Sequence, residues 1–314
     1  ENEHWTVESV VQPEFGFRAQ HHPLEDAEAS VQAGDRLLAV DGRSLSADRS
    51  PWAALVGTVG LGIEATFERD GTPFDILVTP IASEAELRHD AWIDANRRKV
   101  HEATDGRVGY IYVRNTGIEG QTDLVSQFFA EMHREALIID ERWNGGGQIP
   151  TRFIELLNRE PVSWWARRHG DDWRSPSDGH FGPKCMLING LAGSGGDMFP
   201  WLFRRADLGT LIGTRTWGGL VGITGGPALL DGAAVAVPTF GIYEADGTWA
   251  VEGHGVAPDL EVIDDPVALW NGQDLQLEAG INAMMEALRT NPPRNPPRPI
   301  APDRSGSGAA PEDQ

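Results

Sequence analysis

Apolar positions in the first part of the chain come in short runs punctuated by glycine and aspartate. Leu37-Leu38-Ala39-Val40 lies between Gly34-Asp35 and Asp41-Gly42, the pattern of a buried strand bracketed by two turns. Alternating segments at Ile63 to Arg69 and Phe74 to Ile81 are joined by Asp70-Gly71, a dipeptide that tolerates the positive φ angles of a tight hairpin. Trp5 to Val11 also reads as a strand. Ser50-Pro51 ahead of Trp52 to Val56 reads as a helix start, with serine as N-cap and proline in the first helical position. Residues 5–82 are therefore expected to form a small domain of several strands and a helix.

The period then lengthens. Ser83 with Glu86 three residues on is a capping box, and Leu87, Trp92, Ile93 and Val100 recur among charges, so 83–106 is expected to be a linking amphipathic helix. From Arg107 onward, Val- and Ile-rich strands alternate with helical patterns. The strands are Val108 to Val113, Ala136 to Asp140 and Cys185 to Ile188, and the helices are Gln121 to His133, Ile149 to Asn158 and Gly196 to Arg205. Alternation of this kind, with nearly continuous apolar strands, predicts an α/β layer with a parallel sheet over 107–290. Further Gly-rich, strand-like sequence reaches Ile242, and a last helix is expected near Leu275 to Leu288. Residues 291–314, rich in Pro, Arg, Ser and Gly, are expected to be disordered, and no internal repeat stands out.

Composition narrows the partners. The chain has 314 residues with 26 Lys and Arg against 47 Asp and Glu, a net charge of −21 that repels phosphate backbones and anionic lipid headgroups. Nucleic acid and membrane are thus excluded as expected partners. The single cysteine, Cys185, has no mate for an intrachain disulfide or a cysteine-based zinc site, and no metal or cofactor is expected. The start, Glu1 to His4, carries neither an initiator Met nor a signal pattern and runs straight into a strand-like segment, so the numbering is expected to begin inside a longer chain. The cytoplasm is the expected compartment, with the periplasm left open.

Two loops carry the chemistry. In Gly193-Ser194-Gly195-Gly196-Asp197, a serine sits between the end of a strand and the start of a helix, where its Oγ is lifted for attack and adjacent N–H groups can hold an oxyanion. The same pattern also suits a flexible loop or a phosphate cradle. Asp140-Glu141-Arg142-Trp143-Asn144-Gly145-Gly146-Gly147 leaves another strand in the same sense, and its three glycines imply a backbone that runs very close to something, where a plain turn needs fewer. Both loops lie where α/β sheets build their sites. Asp197 reads best as a capping residue.

These motifs, followed by Gly213-Thr214-Arg215-Thr216-Trp217-Gly218-Gly219 and by Glu252-Gly253-His254-Gly255-Val256-Ala257-Pro258-Asp259, resemble in order and spacing the C-terminal half of the tricorn proteases, within the tail-specific serine peptidases of family S41. Gly34 to Gly42 resembles the PDZ domain that precedes that fold. The resemblance covers about residues 5 to 268 and implies a PDZ-like domain followed by an α/β core related to Clp protease and crotonase. It implies a serine endopeptidase acting on short peptides or unfolded protein, with Ser194 as nucleophile and the N–H groups of Gly146 and Gly195 as oxyanion hole. Glu252 would help orient the base through an intervening serine. An acid at Asp171 or Asp172 would favour a basic substrate side chain, with a solvated loop as the alternative, and a homo-oligomer, hexameric in the tricorn case, would be the working form.

The base is the open point. The processing branch uses a lysine that follows the nucleophile in a Thr-x-Gly-Lys setting, where Thr216-Trp217-Gly218-Gly219 has glycine; Lys99 and Lys184 both precede Ser194. His254, two residues from Glu252, is the one in-chain histidine inside the motifs, and a turn position is the stronger reading of it. The tricorn branch places its Ser-His pair ahead of the PDZ domain, so the base is expected upstream of residue 1 and this stretch alone is expected to be nearly inert. A PDZ peptide-binding module without catalysis and a crotonase-like acyl-CoA enzyme are the alternatives.

Overall fold

The computed structural model describes residues 4–11, 22–24, 31–46, 48, 50–148, 150–293 and 295–301. The chain divides between Lys99 and Val100 into two compact units. In the first, strands β1 (Trp5–Thr6), β2 (Arg36–Val40), β3 (Arg43–Ser44), β4 (Ile63–Arg69) and β5 (Thr72–Val78) form an antiparallel sheet in the order β1-β2-β4-β5, with β3 paired to β2. The expected hairpin is present: Asp70 and Gly71 turn at φ of 50° and 77°, the left-handed geometry that glycine and aspartate accept. Val31, Ala65, Phe67 and Ile76 make its core. Asp35, nearly buried, takes two 2.7 Å bonds from the Arg69 guanidinium, which holds its carboxyl below the usual carboxylate range. The helix expected at Ser50 is only a 3-10 turn over Pro51–Leu55, and the Ser50 side chain does not cap it. His21 falls outside the described residues, while His22 Nε2 bonds Val11 O at 2.8 Å.

Helix α1 (Ala85–Ala103) leads into the second unit. There β6 (Val108–Tyr112), α2 (Ile118–Glu131), β7 (Ala136–Asp140), α3 (Thr151–Leu157), β8 (Ser163–Trp165), β9 (Trp173–Ser175), β10 (Lys184–Ile188), α4 (Gly195–Arg205), β11 (Thr210–Gly213), β12 (Gly222–Gly225), β13 (Ala236–Phe240), β14 (Leu260–Glu261), α5 (Pro266–Trp270) and α6 (Leu275–Thr290) follow in order. The main sheet runs β14-β11-β10-β7-β6, parallel throughout, as the alternating pattern predicts. β8–β9 and β12–β13 are separate antiparallel hairpins.

Strand periodicity sorts the core into two faces. Ile111, Ile139, Met186 and Leu211 lie in register and pack with Leu124, Phe128, Phe153, Phe199 and Phe203 from α2, α3 and α4. The alternate residues, Ile138, Cys185 and Leu187, meet α6, where Gly280 leaves no room for more: a Cβ there would sit 3.1 Å from Leu187 Cδ2 and 3.7 Å from Cys185 Sγ. Cys185 is buried and free, a packing residue.

One polar cluster interrupts this core. Arg142, wholly buried just past β7, donates to Asp140 through Nε at 2.9 Å and Nη2 at 2.7 Å, and to Asp274 at 2.8 Å through both Nη atoms. Asp274 also caps α6, accepting the Leu277 N–H at 3.0 Å, and Tyr110 donates to Asp140 at 2.8 Å. Replacing Arg142 by Leu strands two buried carboxylates, so we expect a loss of about 3–5 kcal/mol in urea unfolding, an effect much smaller when Asp140 and Asp274 are changed to Asn in the same chain.

Of the tail expected to be disordered, residues 294 and 302–314 lie outside the described residues, while Asn295 and Arg298 bond to the β8–β9 hairpin. Among the described residues, no helix is long and apolar enough to cross a membrane.

Candidate active site

The two Gly-rich loops meet where β7 and β10 end. Ser194 is the N-cap of α4, half-buried, with φ 56° and ψ −113°, a conformation that costs a non-glycine residue about 1–3 kcal/mol. A sharp strand-to-helix reversal forces it. The Ser194 N–H donates to Asp197 Oδ2 at 2.8 Å, and Gly193 N–H crosses to Asn144 O at 3.1 Å, so the serine loop is bonded directly to the triple-glycine loop. Asn189 Oδ1 adds a second tie, accepting from Trp143 N–H at 3.0 Å and from Leu191 N–H at 3.2 Å.

Gly146 is where the loops touch. At φ 81° it lies so close that a Cβ would sit 2.7 Å from Ser194 Cβ, 2.8 Å from Gly193 O and 3.0 Å from Gly195 N. The close approach inferred from three glycines is thus with the nucleophile loop itself. Gly195 N–H, the first amide of α4, has no partner inside the helix and faces this contact. Gly146 N–H is engaged: it donates to the Asn144 carboxamide at 2.9 Å, a local turn that sequence reasoning did not foresee.

Asp197 does more than cap. Wholly buried, it also accepts from Gly218 N–H at 2.7 Å and Gly219 N–H at 3.0 Å, pinning the third motif loop beside the serine. Trp217 then packs against Gly193, where a Cβ would lie 2.5 Å from its ring, and presents its outer side to solvent as a wall next to Ser194. Thr116, on the loop after β6, exchanges backbone bonds with Gly146 and Gln148, and its buried, unpartnered Oγ1 would be 1.9 Å from a Cβ at Gly195. Thr116 lies outside every motif and is brought here by long-range placement alone, while Trp217 stands inside the third motif, which gives it no role by itself.

Glu252 follows Val251, whose φ of 67° marks a forced turn, and its Oε2 accepts from Leu220 N–H at 2.7 Å and Val221 N–H at 2.6 Å. It therefore braces the strand-like segment that continues the Trp217 loop. His254 Nδ1 contacts the Glu252 backbone carbonyl at 3.0 Å, not its carboxylate, as the turn reading has it. His101 and His180 bond Glu131 and Arg134 O. Burial lowers Lys184 to about 8, a value suited to a base, but its Nζ donates to His180 O and Gly182 O at the start of β10, about 15 Å of strand away from the serine loop.

Asp171 and Asp172 are not brought to Ser194. Their hairpin is packed at the edge where β7 and β10 begin: Arg174 lies over the Phe181 ring at 5.0 Å, and a groove of about 380 Å³ there is lined by Glu135, Asp172, Trp173 and Gly182. Asp171 is exposed and Asp172 is paired with Arg298. Sequence distance concealed this, because the hairpin leaves from one end of the sheet and the nucleophile loop from the other. Among the described residues, no group of His, Cys, Asp or Glu is arranged to hold a metal ion.

Beneath the loops lies a residue with no precedent in the motif reading. Glu141 is wholly buried, neither carboxyl oxygen has a partner, and Asn144 Nδ2 is likewise unsatisfied. Burial pushes its carboxyl well above the ordinary value, and the nearby Asp197 and Asp140 add to the shift, while the Asn144 side chain opposes it. Stability from such a group is complete below the unfolded pKa and is lost as pH rises through the raised folded value. The melting temperature of Glu141→Gln should therefore pull ahead of wild type as pH goes from 5 to 9. The strain at Ser194 gives a second expectation: Ser194→Gly should unfold at higher urea than Ser194→Ala, by about 1–3 kcal/mol.

The chain matches the model Peptidase family S41 over residues 107–262 and the model Tricorn protease PDZ domain over residues 1–83. It is similar to tricorn protease homolog 1 of Streptomyces coelicolor, 33% identical over 295 residues that make up 93% of this chain and 28% of that one. Tricorn protease of Thermoplasma acidophilum is 33% identical over 261 residues, 83% of this chain and 24% of its own. Among solved structures, the crystal structure of the tricorn protease aligns with a TM-score of 0.85 at 30% identity, covering 92% of this chain and 28% of that chain. The chain thus spans about a quarter of the length of these relatives.

Proposed function

The chain belongs to peptidase family S41, on its tricorn branch, and from that membership we propose that it is the PDZ and catalytic core of a serine endopeptidase that cleaves oligopeptides or unfolded protein. The observation that carries this is Ser194, held at φ 56° against a glycine surface with the first amide of α4 beside it.

In this reading Ser194 Oγ attacks the scissile carbonyl carbon while a base takes its proton. The oxygen becomes an oxyanion held by Gly195 N–H. Gly146 N–H is the second donor once it shares or releases its bond to Asn144 Oδ1. Collapse expels the amine and leaves an acyl-serine, which water then hydrolyses. Glu252 uses Oε2 to brace the neighbouring loop, and its role toward the base, through an intervening serine, falls to its other oxygen in this reading.

The base itself is a histidine brought by a segment outside residues 1–314. Support comes from His101 and His180, which bond Glu131 and Arg134 O away from the serine loop, and from Lys184, which sits at the far end of its strand. Side chains such as Leu230 and Ile223, exposed on and near the β12–β13 hairpin, support a homo-oligomer as the working form, with the hexamer as its specific version.

Turnover of a fluorogenic peptide tests this. In a protein that joins residues 1–314 to an upstream Ser-His segment, Ser194→Ala should lower kcat by about 10⁶. Residues 1–314 alone should run close to that floor, and equal turnover by the two proteins would refute the external base.

A further inference from the structure

Past α6 the chain reads Asn291-Pro292-Pro293-Arg294-Asn295-Pro296-Pro297-Arg298-Pro299, the tetrapeptide Asn-Pro-Pro-Arg twice in succession. Each proline fixes its own φ and keeps the residue before it extended, so 295–299 is driven toward a polyproline II helix. Such a helix has about three residues per turn and makes no internal hydrogen bonds, so side chains three apart share a face and its ordering cost is already low.

Asn295 and Arg298 are three apart, and among the described tail residues both are held by the β8–β9 hairpin. Asn295 Oδ1 accepts from Trp164 Nε1 and from Arg174 Nε, both at 3.2 Å. Trp164 and Arg174 are opposite each other across the hairpin, so their two donors converge from adjacent strands. Arg298 forks onto Asp172: Nε donates to Oδ2 at 2.9 Å, Nη2 donates to Oδ1, and Nη2 also reaches Gly170 O at 3.4 Å. Asp172 is oriented independently of the tail, since its Oδ1 accepts the Arg167 N–H at 3.3 Å. Pro293 follows the same course, lining the groove beside Phe181 and Gly182.

We propose that this hairpin is a binding site for an extended, proline-rich peptide segment bearing asparagine and arginine at a spacing of three, and that the chain's own Asn295–Arg298 is its resident ligand. One exposed ion pair is worth too little to order a tail. Here a guanidinium fork, two donors on one carboxamide and a pre-extended backbone act together, and the arginines of the tail are drawn to a body of net charge −21. The site lies at the sheet edge opposite Ser194, so it neither requires nor blocks the peptidase reading.

The test is fluorescence anisotropy with a labelled peptide of the sequence of residues 291–301, titrated with the full chain. In the intact chain the tethered tail competes at high effective concentration. The double variant Asn295→Ala, Arg298→Ala should therefore bind the peptide at least about tenfold more tightly than the intact chain. Adding Asp172→Asn to that variant should abolish binding, while Ser194→Ala should leave it unchanged. A double variant that binds no better than the intact chain, or binding that survives Asp172→Asn, overturns the proposal.

Discussion

The buried Arg142 cluster is the constraint on which the second unit depends. A guanidinium with no access to water has to find its counter-charges inside the protein, and it finds them at the end of β7 and at the cap of α6. One side chain thereby fixes where the triple-glycine loop starts and where the last helix docks. Tyr112 OH donates to the Arg142 carbonyl at 3.1 Å, so β6 is tied to the same point. The loop that runs on through Asn144 and Gly146 inherits its position from this cluster.

From that anchor the site is assembled largely by main-chain groups. Gly193 N–H meets Asn144 O, Asp197 gathers amides from three positions, and Thr116 brackets Gly146. The acids here divide by environment. Asp197 accepts from three backbone N–H groups, whereas burial, with Asp197 and Asp140 nearby, pushes the Glu141 carboxyl above its ordinary range.

Much of this was legible in the sequence, and what was not has identifiable causes. The parallel sheet, the Asp70-Gly71 hairpin and the meeting of the two glycine loops follow from local pattern, because strand periodicity and glycine content report backbone needs directly. The tricorn resemblance, carried by four motifs in order, holds against the family models and relatives. The side-chain environment did not show. Nothing in Asp140-Glu141-Arg142 says which of three charged neighbours is paired and which is an isolated acid, since Asp274 lies 132 residues from Arg142. Proximity also misled: Asp172 is nearer in sequence to Ser194 than Glu252 is, yet its hairpin belongs to the other end of the sheet. The helix expected from Ser50-Pro51 shrank to one turn because no serine cap formed.

A site knit from peptide groups has a consequence for how such proteins diverge. Glycines 146, 193 and 195 sit where a Cβ would collide with a facing residue, so a side chain at any of them has to displace a neighbouring loop. Two chains can differ at about two positions in three and still share this fold, as the alignment with the tricorn crystal structure at 30% identity illustrates.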